Sequence, residues 1–273
     1  MDLTLEEFRK FETLIYQISG IRLQESKQSL LTNRLRRRLK ALGLADFKTY
    51  YRLLSSPEGS SEMAEFLNVV TTNETSFFRT EKHFEWLRTE FLPECIRDAT
   101  RGLRSKRLRI WSAASSTGEE AYSIALCLAE NQLRLGGWQL EIVGTDISED
   151  VLQRAREGVY KTSSLEGMDE KQLRRYFTAM PDHQHMCVKP ALANQVTFKK
   201  HNLLNAWTAE PFDCIFLRNV LIYFDRASKA VVLRHIRNAL SSRGFLVLGP
   251  SEGVFDMLDG FEKVNTFLYR KQD

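Results

Sequence analysis

The chain has 273 residues, with 39 Lys and Arg against 35 Asp and Glu and a formal net charge of +4. That length fits one or two domains, and 43% hydrophobic with 27% charged residues excludes a disordered or fibrous chain. So small a positive excess does not demand nucleic acid, and no apolar run approaches a membrane span. Cys95, Cys127, Cys187 and Cys214 form no Cys-x-x-Cys pair. They read as reduced thiols of a cytoplasmic protein, and no apolar leader core surrounds Asp2, Glu6 and Glu7.

From Leu3 to Ile18 apolar residues recur at three and four, opened by Thr4 with Glu6 and Glu7 and closed by Gly20, which predicts a helix. Ser26 to Leu42 predicts a second, with Leu31, Leu35, Leu39 and Leu42 as its apolar stripe. Around that stripe sit Lys27, Arg34, Arg36, Arg37, Arg38 and Lys40: either a solvated face or a surface for an acidic partner. Asp46–Leu54 and Glu62–Val70 complete a small all-helical unit over residues 1–71. The polar and aromatic run Val69–Arg79 breaks the pattern. Helical spacing returns through Phe84, Leu87, Phe91 and Leu92, and Pro93 is expected to end it.

Strand signals then alternate with helix signals: Leu108–Trp111, Leu140–Gly144, Val196–Lys199, Phe212–Leu217 and Phe245–Leu248, with helices after Gly118, from Ser148 to Arg156 and from Ala227 to Leu240. This predicts an α/β fold with a mostly parallel sheet. Phe261–Val264 and Phe267–Tyr269 predict an antiparallel edge hairpin. The stretch Trp111–Gly118 reads as strand, tight loop of tiny residues, then helix. Gly118 is expected to let a ligand approach the backbone. Asp146 follows the second strand, where a carboxylate suits ribose hydroxyls, yet the loop lacks the three-glycine dinucleotide fingerprint. A nucleoside ligand without pyrophosphate, near Gly118, Asp146, Asn202 and Asn219, is therefore expected. His183, His185 and Cys187 alternate and would share one strand face as metal ligands do, but no fourth ligand is evident and no metal is expected.

Four blocks, Thr72–Arg79, Trp111–Ala125, Gly144–Ile147 and Arg218–Asp225, resemble in this order the CheR-type chemotaxis receptor methyltransferases, and Asn202-Leu203-Leu204 fits as well. The resemblance spans nearly the whole chain. It implies a Rossmann-like class I methyltransferase sheet over residues 72–273, with a linker at about 72–100 and a small inserted β-subdomain at about 170–197, preceded by the helical receptor-docking domain. It also implies S-adenosylmethionine as methyl donor, with S-adenosylhomocysteine as product, and esterification of chemoreceptor glutamates. The roles carried over place Arg79 on the carboxylate of the donor's methionine part, with Asn73 and Thr75 beside it. Glu120 helps hold the donor, Asp146 takes the ribose and Asn202 and Leu203 flank the adenine. Arg218 and Asn219 close the floor, and Tyr223 stands near the transferred methyl. Arg34, Arg36, Arg37, Arg38 and Lys40 would then steer the Glu-rich methylation helices of a receptor. Some relatives dock a receptor's terminal pentapeptide on a glycine-containing loop of the β-subdomain. Met180–Met186 has no glycine, so such a tether is not expected here. Two other readings stay open: a nucleic-acid amino-methyltransferase, since Asn219–Tyr223 is faintly similar to an Asn-Pro-Pro-Tyr motif without its prolines, and a non-catalytic sensor of the donor.

Overall fold

The computed structural model describes residues 2–273. Helices α1 (Leu5–Ser19), α2 (Gln28–Leu42), α3 (Phe47–Leu54) and α4 (Ser60–Val70) come first. Thr4 and Glu7 form a reciprocal capping box on α1, and Gly20 ends it at φ +72°. Phe8, Phe11, Ile15, Leu31, Leu35, Phe47, Tyr50 and Phe66 bury their side chains together, so the helices own a core of their own.

The next segment departs from expectation. Helix α5 (Glu81–Trp86) runs through a π-helical turn at Leu87–Phe91 into α6 (Leu92–Thr100). Pro93 does not end the helix. The wide turn before it, with the Leu92 N–H on the Leu87 carbonyl, fits a residue that has no N–H to offer. Phe84, Leu87, Phe91, Leu92 and Cys95 are buried in the core they share with the sheet, so residues 81–100 pack against it.

The remainder alternates: β1 (Arg107–Ala113), α7 (Glu119–Glu130), β2 (Gln139–Asp146), α8 (Glu149–Glu157), β3 (Val159–Lys161), α9 (Glu170–Tyr176), β4 (Phe177–Ala179), β5 (His185–Val188), α10 (Pro190–Ala193), β6 (Val196–Lys200), β7 (Phe212–Leu217), α11 (Arg226–Ala239), β8 (Leu240–Leu248), β9 (Phe261–Lys263) and β10 (Leu268–Lys271). The large sheet has the order β6-β2-β1-β7-β8-β10-β9. Strands β6, β2, β1, β7 and β8 are parallel, and β10 is antiparallel to both β8 and β9. This is the expected Rossmann-like sheet with its antiparallel edge hairpin. Strand order reverses between β1 and β7, and the crevice beyond their carboxyl ends is where such sheets take ligands. Apolar residues of α7 and α8 cover one face and those of α11 the other.

The small sheet, β3-β5-β4, begins at Val159, earlier than expected. Strand β3 is three residues between Gly158 and a 3-10 turn, too short for periodicity to reveal. His185 pairs with Asp182 at 2.6 Å, and among the described residues no three His, Cys, Asp or Glu converge on a point. No described helix is long and apolar enough to cross a membrane.

Candidate active site

A cleft of about 570 Å³ lies beyond the carboxyl ends of β1, β2, β6 and β7, within the range of small-molecule sites. One wall comes from the helical unit, through Ser19, Ile21, Arg22, Lys27, Leu30 and Arg34. The opposite wall comes from the sheet. Asn73, Thr75, Arg79, Glu120, Asp146, Asn202, Leu203, Arg218, Asn219 and Tyr223 all line it, so the ten expected cofactor and catalytic residues converge.

The loop after β1 turns through left-handed residues, Ala114 at φ +59° and Ser116 at +50°. That path aims the Ser116 N–H at Asp146 Oδ2 (3.0 Å), while Oδ1 accepts the Ser148 N–H at 3.0 Å. Asp146 does not cap α8; the Ser148 hydroxyl does. Burial lifts the Asp146 carboxyl above its ordinary range against those N–H bonds. Gly118 takes another part than expected. It does not line the cleft. Its φ of +95° starts α7, and a Cβ there would press on Ala155 at 2.8 Å and Phe198 at 3.0 Å, so the glycine serves packing.

Below the loop, Glu120 accepts from the Ser112 hydroxyl at 2.7 Å and from Arg218 at 2.8 Å. Arg218 also donates to the Arg79 carbonyl. Arg79 itself is exposed at the rim and donates to the Glu74 carbonyl at 2.9 Å, which leaves most of its donor fork for a ligand. The Asn73 carbonyl accepts from Ser116 Oγ at 2.9 Å, which ties the Thr72–Arg79 segment to the loop. Asn202 donates to the Ile18 carbonyl at 2.7 Å, and Tyr223 accepts the Arg22 N–H at 2.8 Å, so both loops lean on the helical unit. Tyr223 is half-buried, between buried Leu221 and Phe224, and is not plain core.

The basic helix divides. Arg34 turns inward to the Val70 carbonyl (2.6 Å) and the Thr72 hydroxyl (3.2 Å) and lines the cleft. Arg38 grips Glu62 at 2.5 and 2.6 Å, and Tyr50 donates to the same carboxylate. Arg36 meets Asp2 at 2.5 Å. Arg37 and Lys40 are the exposed cations of the five. The five are therefore not one uniformly solvated face, because Arg34, Arg36 and Arg38 bond to residues of the helical unit itself. Sequence reading also missed Glu252, which holds the Asn219 loop, and the helical unit's share of the cleft. No motif signals either.

The cleft fits an adenosyl methionine ligand. Ser115 Oγ, His201 Nε2 and Arg218 Nε, on residues that line it, are buried without a protein partner. The Asp146 carboxylate and the Arg79 guanidinium both line it. Residues 73–269 match the CheR methyltransferase SAM binding domain, and residues 6–71 match the CheR methyltransferase all-alpha domain. The chain belongs to the CheR methyltransferase family. Its cofactor is S-adenosylmethionine. Among CheR relatives, a chemotaxis protein methyltransferase of Salmonella typhimurium is 40% identical over 93% of this chain and 86% of its own. One of Escherichia coli is 42% identical over 90% and 83%. Among solved structures, the N-methyltransferase NodS of Bradyrhizobium japonicum is 14% identical over 68% of this chain and 98% of that chain, with a TM-score of 0.36. The glycopeptide N-methyltransferase MtfA is 18% identical over 57% and 55%, with a TM-score of 0.34.

Proposed function

We propose that this chain methylates glutamate side chains of bacterial chemoreceptors, forming methyl esters for chemosensory adaptation. The observation that carries the reading is the shared cleft: the donor's site opens against a helical unit whose Arg22, Lys27 and Arg34 present positive charge to it. An acidic side chain entering there meets cations on one side and the methyl donor on the other. The relatives named chemotaxis protein methyltransferase support the same partner.

S-adenosylmethionine supplies a methyl group on a sulfonium, which is displaced at carbon by a carboxylate oxygen while the sulfur leaves as a neutral thioether. A glutamate carboxylate, with an ordinary pKa of about 4.3, is already ionised near neutral pH and needs no general base. The chain's residues therefore bind, align and exclude water. Arg79 holds the amino-acid carboxylate of the donor through its fork. Asp146 accepts from ribose hydroxyls, and Asn202 and Leu203 border the base. Glu120, neutralised by Arg218, keeps oxygen lone pairs for the donor's ammonium. Tyr223, half-buried in the cleft lining, orients the reacting groups. Bringing an anion to a cation in a drier site favours a transition state in which both charges disperse. The test is incubation with labelled donor and a receptor's signalling fragment: base-labile label on glutamate supports the reading, and label on nucleic acid instead overturns it.

A further inference from the structure

The loop that carries Asn219 and Tyr223 into the cleft is held by a residue that never reaches it. Asn219 sits at φ +57°, a left-handed conformation that asparagine adopts more readily than other non-glycine residues and that its surroundings hold here. Glu252, which is 1% exposed, supplies that fixation. One of its carboxylate oxygens accepts the Asn219 N–H and the other the Leu221 N–H at 2.9 Å, with the Val220 N–H close by. The Leu221–Tyr223 turn follows directly, and Tyr223 ends it at the cleft.

The segment behind Glu252 is anchored too. Lys229 of α11 donates to the Glu252 carbonyl at 2.8 Å and to the Gly253 carbonyl at 3.2 Å. Gly249 leaves room for the carboxylate, since a Cβ there would overlap Oε1. A buried carboxylate offers acceptors only, which matches backbone N–H groups converging from one loop. An amide in its place turns an NH2 toward an N–H.

We propose that Glu252 is a positioning residue of methyl transfer: by holding the Asn219 and Leu221 N–H groups, its carboxylate sets where Asn219 and Tyr223 stand in the cleft. This rests on the reading of Tyr223 as the group that orients the reactants. It acts through the backbone and touches neither donor nor acceptor.

The test is a double-mutant cycle on the full chain, with Glu252→Gln, Tyr223→Phe and both together. The readouts are kcat on a receptor fragment and the Kd for S-adenosylhomocysteine. A loop displaced by about an ångström is expected to cost Glu252→Gln roughly 10- to 100-fold in kcat. The Kd is expected to rise less than kcat falls, and the loss in kcat to shrink in the Tyr223→Phe background, since residues acting as a unit are not additive. Unchanged kcat in Glu252→Gln, or losses that multiply fully with Tyr223→Phe, overturn the proposal. If Glu252→Gln melts below the assay temperature, Glu252→Asp enters the same cycle, keeping the charge but withdrawing it by one methylene. The wild-type chain separates the two readings. Failure to methylate any receptor glutamate sinks the proposed function, whereas normal wild-type turnover with unaffected variants sinks only the role of Glu252.

Discussion

Arg218 lays its guanidinium on Glu120, Nη1 to Oε2 at 2.8 Å, with the two side chains only 2% and 14% exposed. The pair sits where β7 ends beside the start of α7, and it ties the cleft floor to the Ser112 hydroxyl on one side and the Arg79 carbonyl on the other. Removing one member of a buried pair strands the other charge. Arg218→Met is expected to destabilise the fold by about 3–5 kcal/mol, read by urea unfolding. A midpoint equal to wild type would show that Glu120 finds another partner at little cost.

Arg79 is the converse case. It is exposed, and among the described residues its side chain bonds to the Glu74 carbonyl alone. Arg79→Ala is expected to leave the melting temperature near that of the wild type. It should weaken S-adenosylhomocysteine binding by about 1.5–3 kcal/mol, the worth of hydrogen bonds to a charged group, or more if the carboxylate finds no other cation. Calorimetry showing unchanged affinity would remove Arg79 from the donor site.

Asp146 gives opposite pH signs for stability and binding. Burial raises its carboxyl above the ordinary 3.8, so folding favours its protonated form. Its contribution to stability is full below 3.8 and is lost as the pH rises through the raised value. Ribose hydroxyls need the ionised form as acceptor. Affinity for S-adenosylhomocysteine is therefore expected to fall as the pH drops through that same raised value, and Asp146→Asn to bind weakly without this acid limb. Titration calorimetry across the acid range reads both, and an acid limb that persists in Asp146→Asn assigns it to another group.

The divided basic helix predicts two classes of variant. Arg38 and the buried Glu62 are partners 24 positions apart, and the pair also holds Tyr50. Arg38→Ala is expected to cost about 3 kcal/mol of stability, whatever it does to docking. The Arg37→Glu and Lys40→Glu double variant is expected to leave stability within about 0.5 kcal/mol and to lower receptor methylation most at low salt. Rates that ignore both the charge reversal and ionic strength would take these two cations out of docking.

The parts legible in the sequence are those whose signal is local. Strand runs and their alternation with helical spacing located every strand of the large sheet: the central β1 and β7 are buried on both faces, whereas β6 and β9 at the edges are short and partly exposed. Residues at the ends of β1, β2, β6 and β7 were legible because a parallel sheet brings strand ends together. Side chains whose partners lie far along the chain stayed hidden. Glu252 reaches the Asn219 N–H across 33 positions, and Asn202 reaches the Ile18 carbonyl across 184. Arg34 and Arg38 look like surface cations in a helical pattern, and only packing of α2 against α4 turns them inward. Pro93 misled for a related reason, since a π-helical turn absorbs a proline that an ideal helix rejects.

One measurement bears most directly on the shared cleft as a site of glutamate esterification. The purified chain is mixed with labelled S-adenosylmethionine and a chemoreceptor signalling fragment, and the products are mapped by mass spectrometry and by release of methanol in base. The expected result is label on glutamate side chains, base-labile and lost when those glutamates are changed to alanine. Donor binding with no transfer to any glutamate, or transfer to a nitrogen or to nucleic acid, would contradict it.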